Sequence, residues 1–171
     1  MPIAASDDRS VRRARYDSAM DYTVRRATAA DQHVIGHHRS QMFREIGAET
    51  DYAALEREFE RWLPKAMVAD VYHGWIAETA AGDVAAGGGL TVVSWPPAPA
   101  DFGDRVAFIY NMYTEPPHRR QGLARRLMLM MHEWCRAQGI HTVRLHASAV
   151  GRPLYESLGY QGTNEMMMRM G

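Results

Sequence analysis

Apolar and polar positions along the chain follow two periods, and each period predicts a different kind of element. A short strand pattern, Tyr22-Thr23-Val24, is followed by Thr28-Ala-Ala-Asp31, whose spacing fits a capping box that opens a helix. Apolar residues then recur at helical spacing as far as Met42, and a second helical stripe covers residues 52–63 before Pro64. The chain is therefore predicted to begin with one strand and two helices.

Strand patterns dominate the middle of the chain. Residues 71–78 and 84–93 flank the turn Ala80-Ala81-Gly82-Asp83, which predicts an antiparallel hairpin. The run Gly87-Gly88-Gly89 lies within a strand pattern and lacks the spacing of a dinucleotide-binding loop, so it predicts a bulge or a close backbone approach. Residues 106–113 are rich in aromatic and branched side chains and predict a long strand.

The last third of the chain alternates helix and strand patterns. Residues 123–134 carry an apolar helical face, and Gly139 ends that helix. Residues 141–146 predict a strand, residues 153–158 predict a short helix, and Tyr160 with residues 165–170 predicts closing strands. The order β-α-α-β-β-β-α-β-α-β predicts an α+β fold with a mixed sheet and helices on both faces.

Length and composition limit the classes of protein. The 171 residues suit one domain, which we assign to residues 21–171. Residues 1–20 are polar and mixed in charge, and predict a flexible N-terminal arm or an arm that docks on a partner subunit. No apolar stretch reaches the roughly 18 residues of a membrane span. The single Cys135 and the lack of a secretory apolar segment indicate a cytoplasmic protein with no membrane partner.

Charge and metal-ligand patterns exclude other functions. Basic and acidic side chains number 20 each, which disfavours a nucleic-acid partner. The eight histidines show no H-E-x-x-H spacing, so we predict no metal. Met166, Met168 and Met170 alternate along the last predicted strand, where they would cap the core or line a dimer interface. We favour a homodimer, because exposed apolar strand positions usually find cover.

A basic loop after the long strand carries the clearest chemical signal. The segment "TEPPHRRQGLARR", residues 114–126, gathers four arginines around Gly122 at a helix start. Unpaired backbone N–H groups and the positive end of the helix dipole form an anion site there, and a glycine lets a ligand approach the backbone. We therefore expect the loop to bind a pyrophosphate. The lysine and hydroxyl of a Walker A loop are missing, which disfavours nucleotide hydrolysis.

Two motifs together resemble the GNAT N-acetyltransferase superfamily. The segment "RRQGLA", residues 119–124, fits the family's acetyl-CoA loop, Q/R-x-x-G-x-G/A. The segment "LHASAVGRPLYESLGY", residues 145–160, is similar to the second signature, in which a strand leads to a helix ending in L-Y-x-x-x-G-F/Y. The resemblance implies a mostly antiparallel sheet that splays between its fourth and fifth strands, and acetyl-CoA as co-substrate.

The resemblance also implies which residues hold acetyl-CoA. Met112 and Thr114, with Tyr113 between them, would bind the pantetheine arm through main-chain groups. Ser148 stands where many members have an asparagine that contacts the cofactor. The residues expected around the pyrophosphate are Arg119, Arg120, Gln121, Gly122, Leu123, Ala124 and Arg125.

Acetyl transfer to an amine needs an oxyanion contact, an acid for the departing thiolate and a base for the amine. The backbone N–H of Met112 would stabilise the carbonyl oxygen, and Tyr155 would protonate the CoA sulfur as general acid. Phe108 stands where some members have a glutamate base. Because Phe108 cannot accept a proton, the candidate bases are Glu115 first and then Glu45, Glu49 or a water molecule.

The acceptor pocket is expected where the first two helices meet the strand ends. Its predicted lining is Met42, Phe43, Glu45, Trp75, Trp95, Tyr110 and Asn111, with Met112. This largely apolar set favours an amine with an apolar or aromatic body. The predicted function is acetyl-CoA-dependent N-acetyltransfer to a primary amine of a small molecule, by direct transfer in a ternary complex. The alternatives are a non-catalytic acyl-CoA-binding module and a protein or peptide N-acetyltransferase.

Overall fold

A five-stranded sheet with helices on both faces forms the structure, a computed structural model that describes residues 22–170. In sheet order, the strands are β1 (Tyr22–Arg26), β2 (Tyr72–Thr79), β3 (Val84–Ser94), β4 (Arg105–Thr114) and β5 (Thr142–Leu145). The α-helices are α1 (Gln32–Glu45), α2 (Tyr52–Val68), α3 (Leu123–Ala137) and α4 (Arg152–Ser157), with 3-10 turns at Ala29–Asp31 and Pro116–His118. The predicted arm, residues 1–20, lies outside the described residues.

The sheet is mostly antiparallel, as predicted. Neighbouring strands from β1 to β4 run antiparallel, and β4 and β5 run parallel. Two antiparallel strands can be joined by a tight turn, as β2 and β3 are, whereas the parallel pair needs the crossover that α3 supplies. None of the helices within residues 22–170 is both long and apolar enough to cross a lipid bilayer.

Side chains of β2 are buried on both faces of the sheet. Tyr72 and Ile76 pack beneath α1 and α2, in a cluster that includes Phe59 and Leu63. The alternate residues of the same strand point to the other face, where Trp75 belongs to the cluster built around α3. The two clusters fix both helical layers on one sheet.

Two glycines of β3 allow bulky side chains to lie directly against the sheet. A Cβ added at Gly89 would be 2.2 Å from the hydroxyl oxygen of Tyr72. A Cβ added at Gly87 would be 3.0 Å from Nδ1 of His38. The close backbone approach predicted for the glycine run is confirmed.

The β-bulge lies in β4, opposite Gly88, the middle glycine of the run. Asn111 and Met112 of β4 together face Gly88 alone, so the register shifts there by one residue. Asn111 takes the extra position with φ of 56°, in the left-handed region that asparagine tolerates better than most residues. The bulge turns the following part of β4 just where β5 stops.

β4 and β5 separate after a short parallel ladder. Their pairing runs from Val106 with Thr142 to Ile109 with Leu145. β4 continues to Thr114, so its residues 110–114 have no partner on β5 within the described sheet. The predicted splay between the fourth and fifth strands is therefore present, and it leaves a gap in the sheet.

Two elements differ from the sequence predictions. α2 does not stop at Pro64 but continues to Val68, because Leu63 and Ala66 are buried on either side of the proline and their packing offsets its lost hydrogen bond. Residues 160–170 form no strand. A period-two pattern becomes a strand only where another strand pairs with it, and no described strand pairs with this segment.

Candidate functional site

The gap between β4 and β5 opens into a cavity of about 570 Å³. α1 with its C-cap residue and α2 line one side through Arg39, Met42, Phe43, Ile46, Phe59 and Trp62. β4 forms the floor through Phe108, Ile109, Tyr110, Asn111 and Met112. β5, the loop after it and α4 complete the lining through Leu145, His146, Ala147, Ser148 and Tyr155.

One guanidinium group brings charge into this mostly apolar cavity. Of the described residues that line it, none is Asp or Glu, and Arg39 carries its permanent charge. The Arg39 Nη1 donates to Oδ1 of Asn111 at 2.7 Å. Its Cζ lies 5.0 Å from the ring centre of Phe43, 4.9 Å from that of Phe59 and 5.8 Å from that of Tyr110. Burial lowers the pKa of Arg39, but an arginine remains cationic at any physiological pH.

Tyr155 reaches the cavity from the side opposite α1. A turn at Ser148 leads into α4, which begins at Arg152. The Ser148 Oγ accepts from the backbone N–H of Gly151 at 3.1 Å, and the Ser148 carbonyl accepts from the backbone N–H of Arg152 at 2.9 Å. This turn starts α4, in which Tyr155 is the fourth of six residues. Burial raises the pKa of its phenol, so the hydroxyl keeps its proton at neutral pH.

Tyr110 occupies the cavity floor but its hydroxyl is engaged elsewhere. It shares a hydrogen bond with the hydroxyl of Thr91 on β3. Burial raises the pKa of Tyr110 to about 12. Tyr155 is therefore the phenol better placed to give a proton to a ligand in the cavity.

The structure brings most of the predicted site together. Met42, Phe43, Tyr110, Asn111 and Met112, which were predicted for the acceptor pocket or strand end, line the cavity, as do Ser148 and Tyr155. Sequence reasoning missed Arg39, Ile46, Phe59, Trp62 and His146. The helical period placed Phe59 and Trp62 on an apolar stripe, but it carried no signal that the stripe would meet β4.

The two predicted pocket tryptophans lie elsewhere. Trp75 is 4% exposed and belongs to the core on the α3 face, where its ring packs against Trp134. Because strand residues alternate between faces, a residue next to Ile76 on β2 cannot share the α1 side of the sheet. Trp95 follows β3, and its ring stacks on the guanidinium of Arg144, 4.4 Å from Cζ to the ring centre.

None of the three candidate carboxylates, Glu45, Glu49 and Glu115, lines the cavity. The Glu45 Oε1 is 2.5 Å from Nη2 of Arg119 and accepts a hydrogen bond from the Tyr113 hydroxyl at 3.0 Å. The Glu115 Oε1 lies 3.1 Å from Nε2 of His38, which is 1% exposed. Both carboxylates tie the end of β4 to α1.

The basic loop follows β4 and its backbone is open at Gly122. This residue has φ of 79° and precedes α3, whose first turn closes through the bond from Arg126 N to Gly122 O at 3.0 Å. Apart from Gly122 and its two chain neighbours, no described residue has a heavy atom within 4 Å of the position that a Gly122 Cβ would take. Arg120 also has a positive φ, 65°, and is exposed. An anion can therefore reach the helix N-terminus directly.

Three of the four loop arginines already bond to neighbours, and one of them is Arg126, whose Nη1 donates to the Tyr22 carbonyl at 2.8 Å. The Arg119 Nε donates to the Thr114 carbonyl at 2.9 Å, and its Nη2 pairs with Glu45. The Arg125 Nη1 donates to Oγ of Ser157 at 2.9 Å. The Leu123 side chain is 2% exposed and packs in the core, so this residue has only its backbone to offer a ligand. Within residues 22–170, no three His, Cys, Asp or Glu side chains cluster as a metal site would require.

Comparison with known proteins identifies the family. Residues 35–160 match the model of the Acetyltransferase (GNAT) family. The chain belongs to the GNAT acetyltransferase family. A solved "GCN5-related N-acetyltransferase" from Ralstonia eutropha JMP134 is 34% identical with a TM-score of 0.81, and the match covers 87% of this chain and 98% of that one. A "predicted acetyltransferase with acetyl-CoA" from Clostridium acetobutylicum is 26% identical with a TM-score of 0.80, covering 87% and 96%.

A curated mouse relative matches over a shorter region. The Mus musculus protein named "Probable N-acetyltransferase family 8 member 5" is 32% identical over 98 residues, which are 54% of this chain and 41% of the mouse protein. The match thus spans less than half of that relative. The structural matches extend over nearly all of the described GNAT fold.

We predict that stability falls as the pH is lowered below the usual histidine pKa, and that His38 contributes to this loss. Burial lowers the pKa of His38 below the ordinary 6.5. As the pH falls, the unfolded chain therefore binds the His38 proton before the folded protein does. The contribution of neutral His38 to stability is complete above pH 6.5 and is lost as the pH falls toward the lowered pKa of the folded state. Urea unfolding at pH 7.5 and 5.5 should show a smaller loss in His38→Gln than in the wild type.

The exposed His33, on the same helix, supplies the control. His33→Gln should keep the wild-type pH dependence. If His38→Gln also keeps it, the buried imidazole does not cause the acid sensitivity.

Proposed function

We propose that the protein transfers an acetyl group from acetyl-CoA to the primary amine of a small molecule, directly and in a ternary complex. The observation that carries the proposal is the cavity between the separated ends of β4 and β5, which holds Tyr155 opposite the β4 bulge. The loop at Gly122 follows the same strand. A cofactor with its pyrophosphate on that loop and its pantetheine arm along β4 would bring its thioester into the cavity.

Direct transfer is favoured because no thiol is available to carry the acetyl group. The single cysteine, Cys135, is 1% exposed on the buried face of α3. Burial raises the pKa of Cys135 to about 11, so its reactive thiolate form is rare at neutral pH. The amine would attack the thioester while both substrates are bound.

The roles at the thioester follow from the two sides of the cavity. On β4, the backbone N–H of Met112 is our candidate donor to the carbonyl oxygen, since the bulge re-aims the backbone beyond the last residue paired with β5. On α4, Tyr155 would give its proton to the CoA sulfur as the thiolate leaves. The raised pKa of the phenol keeps that proton available.

For the base we propose His146 in place of Glu115. His146 lines the cavity, and its ring centre is 5.7 Å from that of Phe108, the residue at the family's glutamate position. Glu165 Oε1 lies 3.8 Å from its Nε2. An imidazole here can take the amine proton directly or through a water, whereas Glu115 faces His38 outside the cavity.

The acceptor is proposed to carry an apolar or aromatic body. Phe43, Ile46 and Trp62 offer it a wall on the α1 and α2 side. The volume of about 570 Å³ suits a small molecule, which favours a small amine over a protein substrate.

A cytoplasmic location and a homodimer remain part of the proposal. Support for the dimer comes from Met166 and Met170, which are 94% and 85% exposed in the chain's last described residues. Apolar side chains of that exposure on a short segment usually find a partner surface.

The first experiment measures thiol release from acetyl-CoA over a panel of aromatic amines, amino acids, polyamines, aminoglycosides and short peptides. Gly122→Glu should raise the acetyl-CoA Kd at least about tenfold and abolish release, because it adds bulk and negative charge at the anion site. Gly122→Ala should weaken binding less, since it adds only the strain of a left-handed backbone. Binding of acetyl-CoA without any release would favour the non-catalytic module.

Removal of the proposed acid gives a second prediction. Tyr155→Phe should lower kcat by about 100-fold and leave the acetyl-CoA Kd within about twofold, because the phenol acts on the leaving thiolate. Stopped-flow or steady-state thiol assays, with calorimetry for binding, measure the two effects. Tyr160→Phe is the matched control, since that hydroxyl bonds His132 outside the cavity. Equal losses in kcat and affinity for Tyr155→Phe would count against its role.

Removal of the proposed base, His146, gives a third prediction. His146→Gln should lower kcat about 10- to 100-fold between pH 6.5 and 8, and the loss should shrink at higher pH as more of the amine is already neutral. His141→Gln is the control, because His141 is exposed before β5 and does not line the cavity. An unchanged kcat in His146→Gln would leave proton removal to water.

A further inference from the structure

Arg39 is a largely buried cation with no anion beside it. Two other arginines of the described chain pair closely with carboxylates: Arg25 Nη2 is 2.7 Å from Asp31 Oδ1, and Arg119 Nη2 is 2.5 Å from Glu45 Oε1. Among the described residues, no carboxylate lies within ion-pair distance of Arg39. Its one hydrogen bond goes to the neutral Asn111 side chain.

Such an arrangement is costly in the absence of a ligand. A guanidinium has five N–H donors, and desolvating a charge without an opposite charge disfavours the folded state. The faces of Phe43, Phe59 and Tyr110 offset part of that cost through cation–π contact. They cannot neutralise the charge or satisfy the in-plane donors.

The contacts also fix which donor a ligand can reach. One N–H of Nη1 donates to Asn111, and Nε is buried without a partner. No described hydrogen bond engages Nη2, so by elimination we assign this nitrogen to the cavity that Arg39 lines. Because the ring contacts and the Asn111 bond hold the plane of the group, its orientation is set before a ligand arrives.

We propose that the acceptor carries an anionic group, a carboxylate, which Nη2 of Arg39 binds while the acceptor amine faces the thioester. This rests on the proposed acetyl transfer and specifies its acceptor as an amine of amino-acid size with an apolar or aromatic side chain. The charge distribution disfavours polyamines and aminoglycosides, since the described lining offers them a cation and no carboxylate.

Three acceptors that differ only at the position of the acid test the proposal: phenylalanine, phenylalaninamide and phenethylamine. The wild type should use phenylalanine with a kcat/KM at least about tenfold above that of the other two, as a charge-assisted hydrogen bond would give. The carboxamide makes the α-amine less basic and so more available as a nucleophile. A preference for phenylalanine would therefore not be an effect of amine protonation.

The variant Arg39→Met keeps a long apolar side chain and removes the charge. It should lower kcat/KM for phenylalanine by about 100-fold and that for phenethylamine by no more than about tenfold. The lost bond to Asn111 affects both acceptors, whereas the lost charge affects phenylalanine alone. Arg44→Met is the matched control, because Arg44 lies on the same helix, stacks on Tyr52 and does not line the cavity. The acetyl-CoA Kd should be unchanged in both variants. A raised Kd in Arg39→Met alone would mean that the cation serves a CoA phosphate, and would overturn the proposal.

A binding measurement separates this proposal from the proposed activity. Calorimetry in the presence of CoA should show that N-acetylphenylalanine binds the wild type at least about tenfold more tightly than N-acetylphenethylamine, and that Arg39→Met removes the difference. If that holds while no acceptor releases thiol, the anion site stands and the catalytic proposal fails. If phenethylamine is turned over as well as phenylalanine, and Arg39→Met affects both equally, acetyl transfer stands and the carboxylate site is overturned.

Discussion

The hydrogen bond from Arg39 Nη1 to Asn111 Oδ1 joins the helical layer to the point where the sheet opens. Asn111 occupies the bulge in β4 with a left-handed backbone, and β5 has already ended opposite Ile109. Arg39 sits on α1 and holds that bulge from above. The cavity exists because β4 continues beyond this contact without β5, while it stays paired with β3 and α1 and α2 stay packed on the sheet. The same contact places a cation beside the residues expected to act on the thioester.

Charge is distributed differently at the two ends of the site. In the loop, Arg119 is neutralised by Glu45 and anchored to the Thr114 carbonyl, so the backbone around Gly122 is positioned before an anion arrives. In the cavity, no described acidic side chain faces Arg39. This difference supports both proposals: a donor whose phosphate groups bind the loop, and an acceptor whose own negative charge meets Arg39.

Local sequence signals predicted the parts of the fold that depend on short-range geometry. The glycine of the basic loop, the helical face of α3 and the proline and glycine around α4 all act within a few residues, so their patterns could be read directly. Tyr155 and Ser148 were found through a motif of contiguous residues. The strand that the sequence predicted over residues 165–170 does not form in the structure, because strand pairing depends on a neighbouring strand and not on the alternation of methionines.

The sequence by itself determined the order of elements as far as α4, the glycine that opens α3 and the family resemblance. Only the tertiary structure decided which side chains face the cavity. Trp75 lies in the core on the α3 side because successive residues of β2 point to opposite faces of the sheet. Glu115 contacts His38 on α1 instead of lining the cavity. Arg39 and His146, separated by 107 positions, line the same cavity. Contacts of that separation depend on how layers pack, and no local period or propensity encodes them.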